Sequence, residues 1–340
     1  MTSETPPWTE FATGEVVVED DTSRAFSIFP ATLRSTGEAV AATGWLEADD
    51  DDLAVLIHQV QAYGVVHGIL SGIGLVRNSA GLVRIVLEAP AGGWLADRMR
   101  RRRGGSDGAG DDAAPVRSET QIIGDSSDSS DDDGYGFAPL LIGDAAWVVR
   151  EVAGTLKMML EADQAVPGIS MEMIGFSADG EVRLQNPGAM LATRKWYAGG
   201  SSSMMLSDTG LLPHYLCPET LTMTSIAPPE QAPWSLGILV YELLVGEPPM
   251  ADTHLMRALF VIPSRGLDLG AVDIAAEALD LVGAVCALER EARLGVSGRT
   301  IALDDVLAHP FFGAASAGLG SPGDAEWVPK DEEPSPLDDM

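Results

Sequence analysis

Two neighbouring stretches decide the reading of this chain. They are Tyr215-Leu216-Cys217-Pro218-Glu219 and Ala232-Pro233-Trp234-Ser235-Leu236-Gly237-Ile238-Leu239-Val240-Tyr241-Glu242-Leu243-Leu244-Val245-Gly246-Glu247-Pro248-Pro249. The second contains the most apolar run of the sequence, Trp234 to Val245. Glu242 interrupts that run, and it is too short to cross about 30 Å of hydrocarbon, so no membrane anchor is expected. On the C-terminal side, Ala292-Arg293-Leu294-Gly295 and Val306-Leu307-Ala308-His309-Pro310-Phe311-Phe312 lie in a mostly helical remainder. On the N-terminal side, helical periodicity spans Ala145 to Leu160. Two short strands follow around Met173 to Phe176 and Glu181 to Leu184, joined by Ser177-Ala178-Asp179-Gly180.

Further upstream the pattern turns to sheet. Ile69 to Val76 and Leu82 to Leu87 read as strands joined by the turn residues Arg77-Asn78-Ser79-Ala80-Gly81. Before them, Leu53, Val55, Leu56, Ile57, Val60 and Tyr63 recur near helical spacing. Asp49 to Asp52 stand where a helix dipole favours acids, so one helix of about four turns is expected. Glu15 to Val18 and Ala25 to Phe29 read as a hairpin plus a strand around the acidic turn Glu19-Asp20-Asp21. Residues 104–136 carry nine acids against Arg117 alone. A stretch of that composition cannot bury enough to offset its ordering entropy, so it is expected to be a disordered insert. Arg98 and Arg100 to Arg103, just before it, read as a solvated helix end.

The 340 residues carry 21 Lys plus Arg against 51 Asp plus Glu, a formal net charge of −30. Such a surface repels phosphate backbones and anionic lipid heads, which argues against nucleic-acid or membrane partners and against easy approach of ATP. Cys217 and Cys286 are too few for a disulfide framework, and MTSETPPWTE lacks the features of a signal peptide. The chain is expected to be intracellular and cytoplasmic, with the arginine cluster compatible with nuclear entry.

The two opening stretches closely resemble the Ala-Pro-Glu motif and central helix of eukaryotic-type protein kinases. Residues 292–295 and 306–312 resemble the final helices of that fold, nearest to its AGC and related serine/threonine groups. Gly81 to Arg103 resembles the fifth strand, hinge and following helix, and Met173 to Gly188 the paired strands leading to the Asp-Phe-Gly motif. The resemblance implies an α+β, bilobal fold: a small antiparallel sheet lobe with a helix over 10–87, and a larger, mainly helical lobe over 88–312. The insert 104–136 interrupts the second lobe, and tails of 1–9 and 313–340 flank the whole.

Phosphoryl transfer in that family needs a lysine on the phosphates, two metal ligands and a catalytic carboxylate. Carried over by resemblance, the lysine falls on Phe29, its αC partner on His58 or Gln59, and the catalytic base on Gly168. The metal ligands fall on Met173 and Asn186. A thioether and a neutral amide are poor ligands for magnesium. In the nucleotide pocket, Gly14 alone survives of three loop glycines, Val16 would roof the adenine, and Leu87-Glu88-Ala89-Pro90 forms the hinge, with Pro90 lacking an N–H to offer. The resemblance therefore implies a pseudokinase that binds neither ATP nor magnesium and acts through protein partners. The lower-lobe groove near Ala251 to Phe260 is a candidate surface. The alternative is a divergent serine/threonine kinase with residual ATP binding and weak protein phosphorylation. Glu219 and Arg293 are implied to form the family's buried ion pair, while Ala232 replaces the aspartate that starts the central helix.

Overall fold

The computed structural model describes residues 9–18, 28–45, 50–97, 99, 139–164, 169–185, 213–222, 229–250, 255–298 and 300–314. The insert 104–136, the tail beyond Ala314, the loop residues Val166 to Gly168 and Asn186 lie outside them.

Four strands precede the first helix: β1 (Thr9–Phe11), β2 (Val16–Val18), β3 (Ile28–Leu33) and β4 (Ala39–Thr43). The two runs expected here, Glu15 to Val18 and Ala25 to Phe29, overlap β2 and β3, and β4 is the strand of the antiparallel array that they do not reach. The missing one, Ala-Val-Ala-Ala-Thr, is rich in alanine and carries little strand signal of its own. Helix α1 (Asp50–Gly64), β5 (Gly72–Arg77) and β6 (Val83–Glu88) follow. The β5–β6 turn forms as its residues suggest: the Asn78 side chain accepts hydrogen bonds from the backbone N–H groups of Ala80 and Leu82, and Gly81 takes φ +82°.

The six strands form one sheet in the order β1-β5-β6-β4-β3-β2. From β2 through β3, β4 and β6 to β5 every pairing is antiparallel, while β1 joins β5 in parallel. β1 and β2 thus stand at opposite ends of the order, yet only Ala12 to Glu15 connect them. Five strand spacings of a flat sheet would separate them by about 24 Å, and the connection can reach about 17 Å at most. The sheet must curl until its edges approach. Thr13 Oγ1 donates to the Arg77 carbonyl at 2.8 Å and Arg34 N–H to the Glu15 carbonyl at 2.8 Å, fastening the connection to both edges.

Alternation along the strands separates two faces. Ala31, Leu33, Val40, Ala42, Val76 and Val86 form one cluster with Phe11, Val16 and Val18; because both edge strands contribute, this is the concave face. Ala41, Leu75, Val83, Ile85 and Leu87 form the other and pack against Leu53, Leu56 and Val60 of α1. Each valine, leucine or isoleucine among them, fully buried, contributes about 1.5–3 kcal/mol.

The second lobe is built on α2 (Ile142–Glu161) and α4 (Gln231–Val245), with α3 (Pro218–Leu221), α5 (Leu255–Arg265), α6 (Ala276–Val285), α7 (Leu303–Leu307) and α8 (Pro310–Ala314) around them. The hairpin β7 (Ile174–Phe176) and β8 (Val182–Leu184) faces the sheet lobe. In α4 every residue from Gln231 to Leu243 is buried, as expected of a helix apolar on all sides. Gly246 ends it at φ +91° with its N–H on the Glu242 carbonyl at 2.8 Å. No helix among the described residues is long and apolar enough to cross a membrane.

Candidate functional site

The cleft between the lobes is bounded by the hinge after β6 and by the β7–β8 hairpin. Leu87 is fully buried at the end of β6, opposite Ala41. Exposed Glu88 accepts the Ser71 N–H at 3.0 Å. Beyond it the hinge is sewn to the hairpin: Gly92 N–H donates to the Phe176 carbonyl at 2.7 Å, Phe176 N–H to the Gly93 carbonyl at 3.0 Å, and Trp94 bridges to Gly175. The buried Pro90 ring lies directly over Gly175. A Cβ on that glycine would come within 2.4 and 2.6 Å of Pro90 Cβ and Cγ. The hinge thus rests its Pro90 and Trp94 rings on Gly175 of the hairpin.

The strand order corrects three assignments. The third strand of the antiparallel array is β4, which reads Val40-Ala41-Ala42-Thr43 against the family's Val-Ala-Ile-Lys. Phe29 lies one strand earlier, paired with Ala42 on the concave face and therefore turned away from the cleft. The slip of one strand follows from the weak strand signal of the alanine-rich β4. Gly14 belongs to the turn that closes the curled sheet and precedes both of the first two antiparallel strands; the residues between those strands, 19–27, lie outside the described residues. Val16 pairs with Leu33 and points into the concave cluster, so it does not roof the cleft.

Thr43, at the end of the third antiparallel strand, is 2% exposed. Its hydroxyl accepts the Ile85 N–H at 2.9 Å and donates to the Gly44 carbonyl at 2.9 Å, so the group is consumed by the sheet itself. On α1, His58 is exposed, while the Gln59 Oε1 is buried without a hydrogen-bond partner among the described residues. The inward position of the helix is therefore Gln59. Neither residue is an anion facing a cation.

Met173 is 7% exposed just before β7; its N–H donates to the Ser170 carbonyl at 3.1 Å, and its own carbonyl accepts the Gln185 N–H at 2.8 Å. Its thioether brings no hard oxygen to the cleft. Gly168 and Asn186, the other positions named for base and metal, fall outside the described residues. Among the described residues no group of three or more His, Cys, Asp or Glu side chains is placed to hold a metal ion.

Lower in the lobe, Glu219 and Arg293 meet in a two-pronged ion pair with both N···O distances 3.1 Å. The arginine is 2% exposed, donates through Nε to the Ala287 carbonyl at 3.1 Å and stacks over the Trp234 ring at 5.2 Å. Burial pushes the Glu219 carboxyl upward, but the bonds and charge of Arg293, together with a backbone hydrogen bond and Cys217, outweigh it and hold the group below its ordinary value. Glu230 and Arg290 form a second pair beside it.

Sequence reasoning missed a brace. Gln231 Oε1 accepts the Cys217 N–H at 3.0 Å, its Nε2 donates to the Tyr215 carbonyl at 2.7 Å and to Ser235 Oγ at 2.9 Å, and Ser235 Oγ accepts the Ile169 N–H at 3.2 Å. This network ties the start of α4 to the loop before β7 and to the segment before α3, which is support the helix keeps despite having Ala232 in place of an aspartate. Gln231 and Ser235, four apart at the head of an otherwise apolar helix, were the available signal. Nearby, Tyr215 Oη donates to buried Glu242 Oε1 at 2.7 Å. Burial lowers the pKa of His214 to about 3 and pushes that of the Cys217 thiol up to about 12, so both side chains are neutral at physiological pH.

A five-stranded antiparallel array with one helix, joined through a hinge to a helical lobe with a buried Glu–Arg pair, defines a bilobal protein-kinase-like fold. No family model matches the chain. Curated relatives include the probable serine/threonine-protein kinase mkcF of Dictyostelium discoideum, 31% identical over 136 residues, which is 40% of this chain and 18% of that protein. The serine/threonine-protein kinase LATS2 of Homo sapiens is 37% identical over 105 residues, 30% of this chain and 9% of the relative. The serine/threonine-protein kinase PAK 1 of Mus musculus is 29% identical over 126 residues, 36% and 22%. The chain thus spans less than a quarter of each of these relatives. It carries a protein-kinase-like domain, similar over 30–40% of its length to these serine/threonine-protein kinases.

Proposed function

We propose that this chain is a pseudokinase: a kinase-like domain with an AGC-like lower lobe that transfers no phosphate, holds neither ATP nor magnesium, and works by binding protein partners. The observation that carries this reading is Thr43. The residue at the end of the third antiparallel strand is buried and spends its hydroxyl on Ile85 and Gly44, leaving no cation for a triphosphate. Pro90 over Gly175, the soft Met173 and the uncharged Gln59 support it from three sides of the same cleft. The buried braces around Glu219, Arg293, Gln231 and Ser235 support a lower lobe kept as a rigid body for presentation to a partner.

A thermal-shift titration tests this. Millimolar ATP with magnesium is expected to leave the melting temperature unchanged, because a ligand held at a hundred times its Kd would add about 2.7 kcal/mol. A clear rise, together with protein phosphorylation that disappears on Asn186→Ala, would favour a divergent active kinase instead.

A further inference from the structure

A concavity outside the interlobe cleft lies between the C-terminal end of α4 and helix α5. It measures about 580 Å³ and is walled by Tyr241, Pro248, Met250, Val261, Leu267 and Leu269. Its rim is preformed. Tyr241 Oη donates to the Leu269 carbonyl at 3.0 Å, Asp268 Oδ1 accepts the Gly270 N–H at 3.0 Å, and Gly266 and Gly270 take the positive φ values the loop requires. Met250, on the wall, is held at φ +63°, a left-handed conformation uncommon for any residue but glycine.

Two arginines of α5, Arg257 and Arg265, line the same cavity and are exposed. Neither makes an ion pair or hydrogen bond among the described residues, whereas Lys157, Arg183, Arg290 and Arg293 each hold a carboxylate. In a chain with 51 acids to 21 bases, two cations left unpaired beside one cavity stand out. Phe260, 72% exposed, projects from the same helix. Glu247 and the Asp268 carboxylate also belong to the lining, so a uniformly anionic ligand is disfavoured.

We propose that this cavity is a docking site for an extended segment of a partner protein carrying two acidic residues on either side of an apolar one. The spacing follows from the helix. Arg257 and Arg265 are eight residues apart, about 12 Å along the axis. An extended peptide covers about 13 Å in four residues, and its positions i, i+2 and i+4 share one face. The pattern is therefore acid-x-apolar-x-acid, with the apolar side chain entering between Met250 and Val261. The site is remote from the interlobe cleft and stands whether or not the chain transfers phosphate.

Fluorescence anisotropy with full-length protein and a labelled ten-residue peptide of that pattern tests it. Saturable binding is expected, weakened at least about tenfold by R257E/R265E. It should also weaken as NaCl rises from about 50 to 500 mM, which shortens the screening length from roughly 14 to 4 Å. Val261→Asp should weaken it as well, with circular dichroism and melting temperature of each variant matching wild type. No saturable binding, equal binding of a peptide with both acids changed to lysine, or binding indifferent to R257E/R265E would overturn the proposal. Binding that appears only after removal of residues 315–340 would also overturn it, by assigning the cavity to the chain's own acidic tail.

Discussion

Acidification should destabilise this protein well above the range where carboxylates titrate, through one buried histidine. His214 is 4% exposed, its Nε2 has no hydrogen-bond partner among the described residues, and its ring packs at 4.5 Å against Tyr215. Burial depresses its pKa from 6.5 to about 3. The unfolded chain therefore takes up a proton as pH falls through 6.5, while the folded chain stays neutral until about pH 3, so the unfolded state gains over that window. Between about pH 7.5 and pH 5 the loss amounts to about 2 kcal/mol. For a folded body of this size that is a fall in melting temperature of about 4–8 °C. His214→Leu removes the titrating ring while the bond from Trp234 Nε1 to the His214 backbone carbonyl, 2.8 Å, survives. Urea denaturation of both proteins at the two pH values isolates the term, because the exposed groups they share cancel. The variant should lose about 2 kcal/mol less than wild type on acidification. Equal losses in the two proteins would refute the assignment of a buried, neutral imidazole.

Three further outcomes can be checked in the same way. Glu219→Gln or Arg293→Met should cost about 3–5 kcal/mol in chemical denaturation by stranding one member of a buried pair. Because the Glu219 carboxyl is held below 4.5, the stability it contributes is present above that pH and is lost as pH falls through the lowered value, an acid limb that Glu219→Gln should lack. Thr43→Val should cost about 1–3 kcal/mol by orphaning the Ile85 N–H, and Thr43→Lys should produce no thermal shift with ATP and magnesium. Gly175→Ala forces a methyl against Pro90 and should cost about 1–3 kcal/mol; an unchanged denaturation midpoint would show that the hinge does not rest on the hairpin.

The lower lobe was legible in the sequence because its signals are local. The run from Trp234 to Leu243 lies in a helix buried on every side, and Glu219 and Arg293 pair as the resemblance implied. The upper lobe was legible in kind but not in register. Its strands are three to six residues long and are held by pairings between distant segments, so strand pattern alone does not say whether Phe29 or Thr43 ends the third of them. Val40-Ala41-Ala42-Thr43, read against Val-Ala-Ile-Lys, was the clue. The one-residue ambiguity on α1 needed burial to settle it: His58 faces water and Gln59 faces in. The Gln231–Ser235 brace shows in the sequence only as two polar residues four apart, because most of its partners are backbone groups and backbone groups leave no mark in a sequence.

The four-residue connection from Phe11 to Val16 also bears on solubility. An open six-stranded sheet would present two rows of unpaired backbone groups, each a template on which another chain could add a strand. Here both terminal strands are only three residues long, and Thr13 and Glu15 draw them together over the ends of β5 and β3. Gly74 lets β1 lie so close that a single added methyl would meet the Thr9 carbonyl oxygen at 2.1 Å. Shortening the chain from its N-terminus past Phe11 would uncover the β5 edge, and the expected cost is edge-to-edge aggregation as well as lost stability.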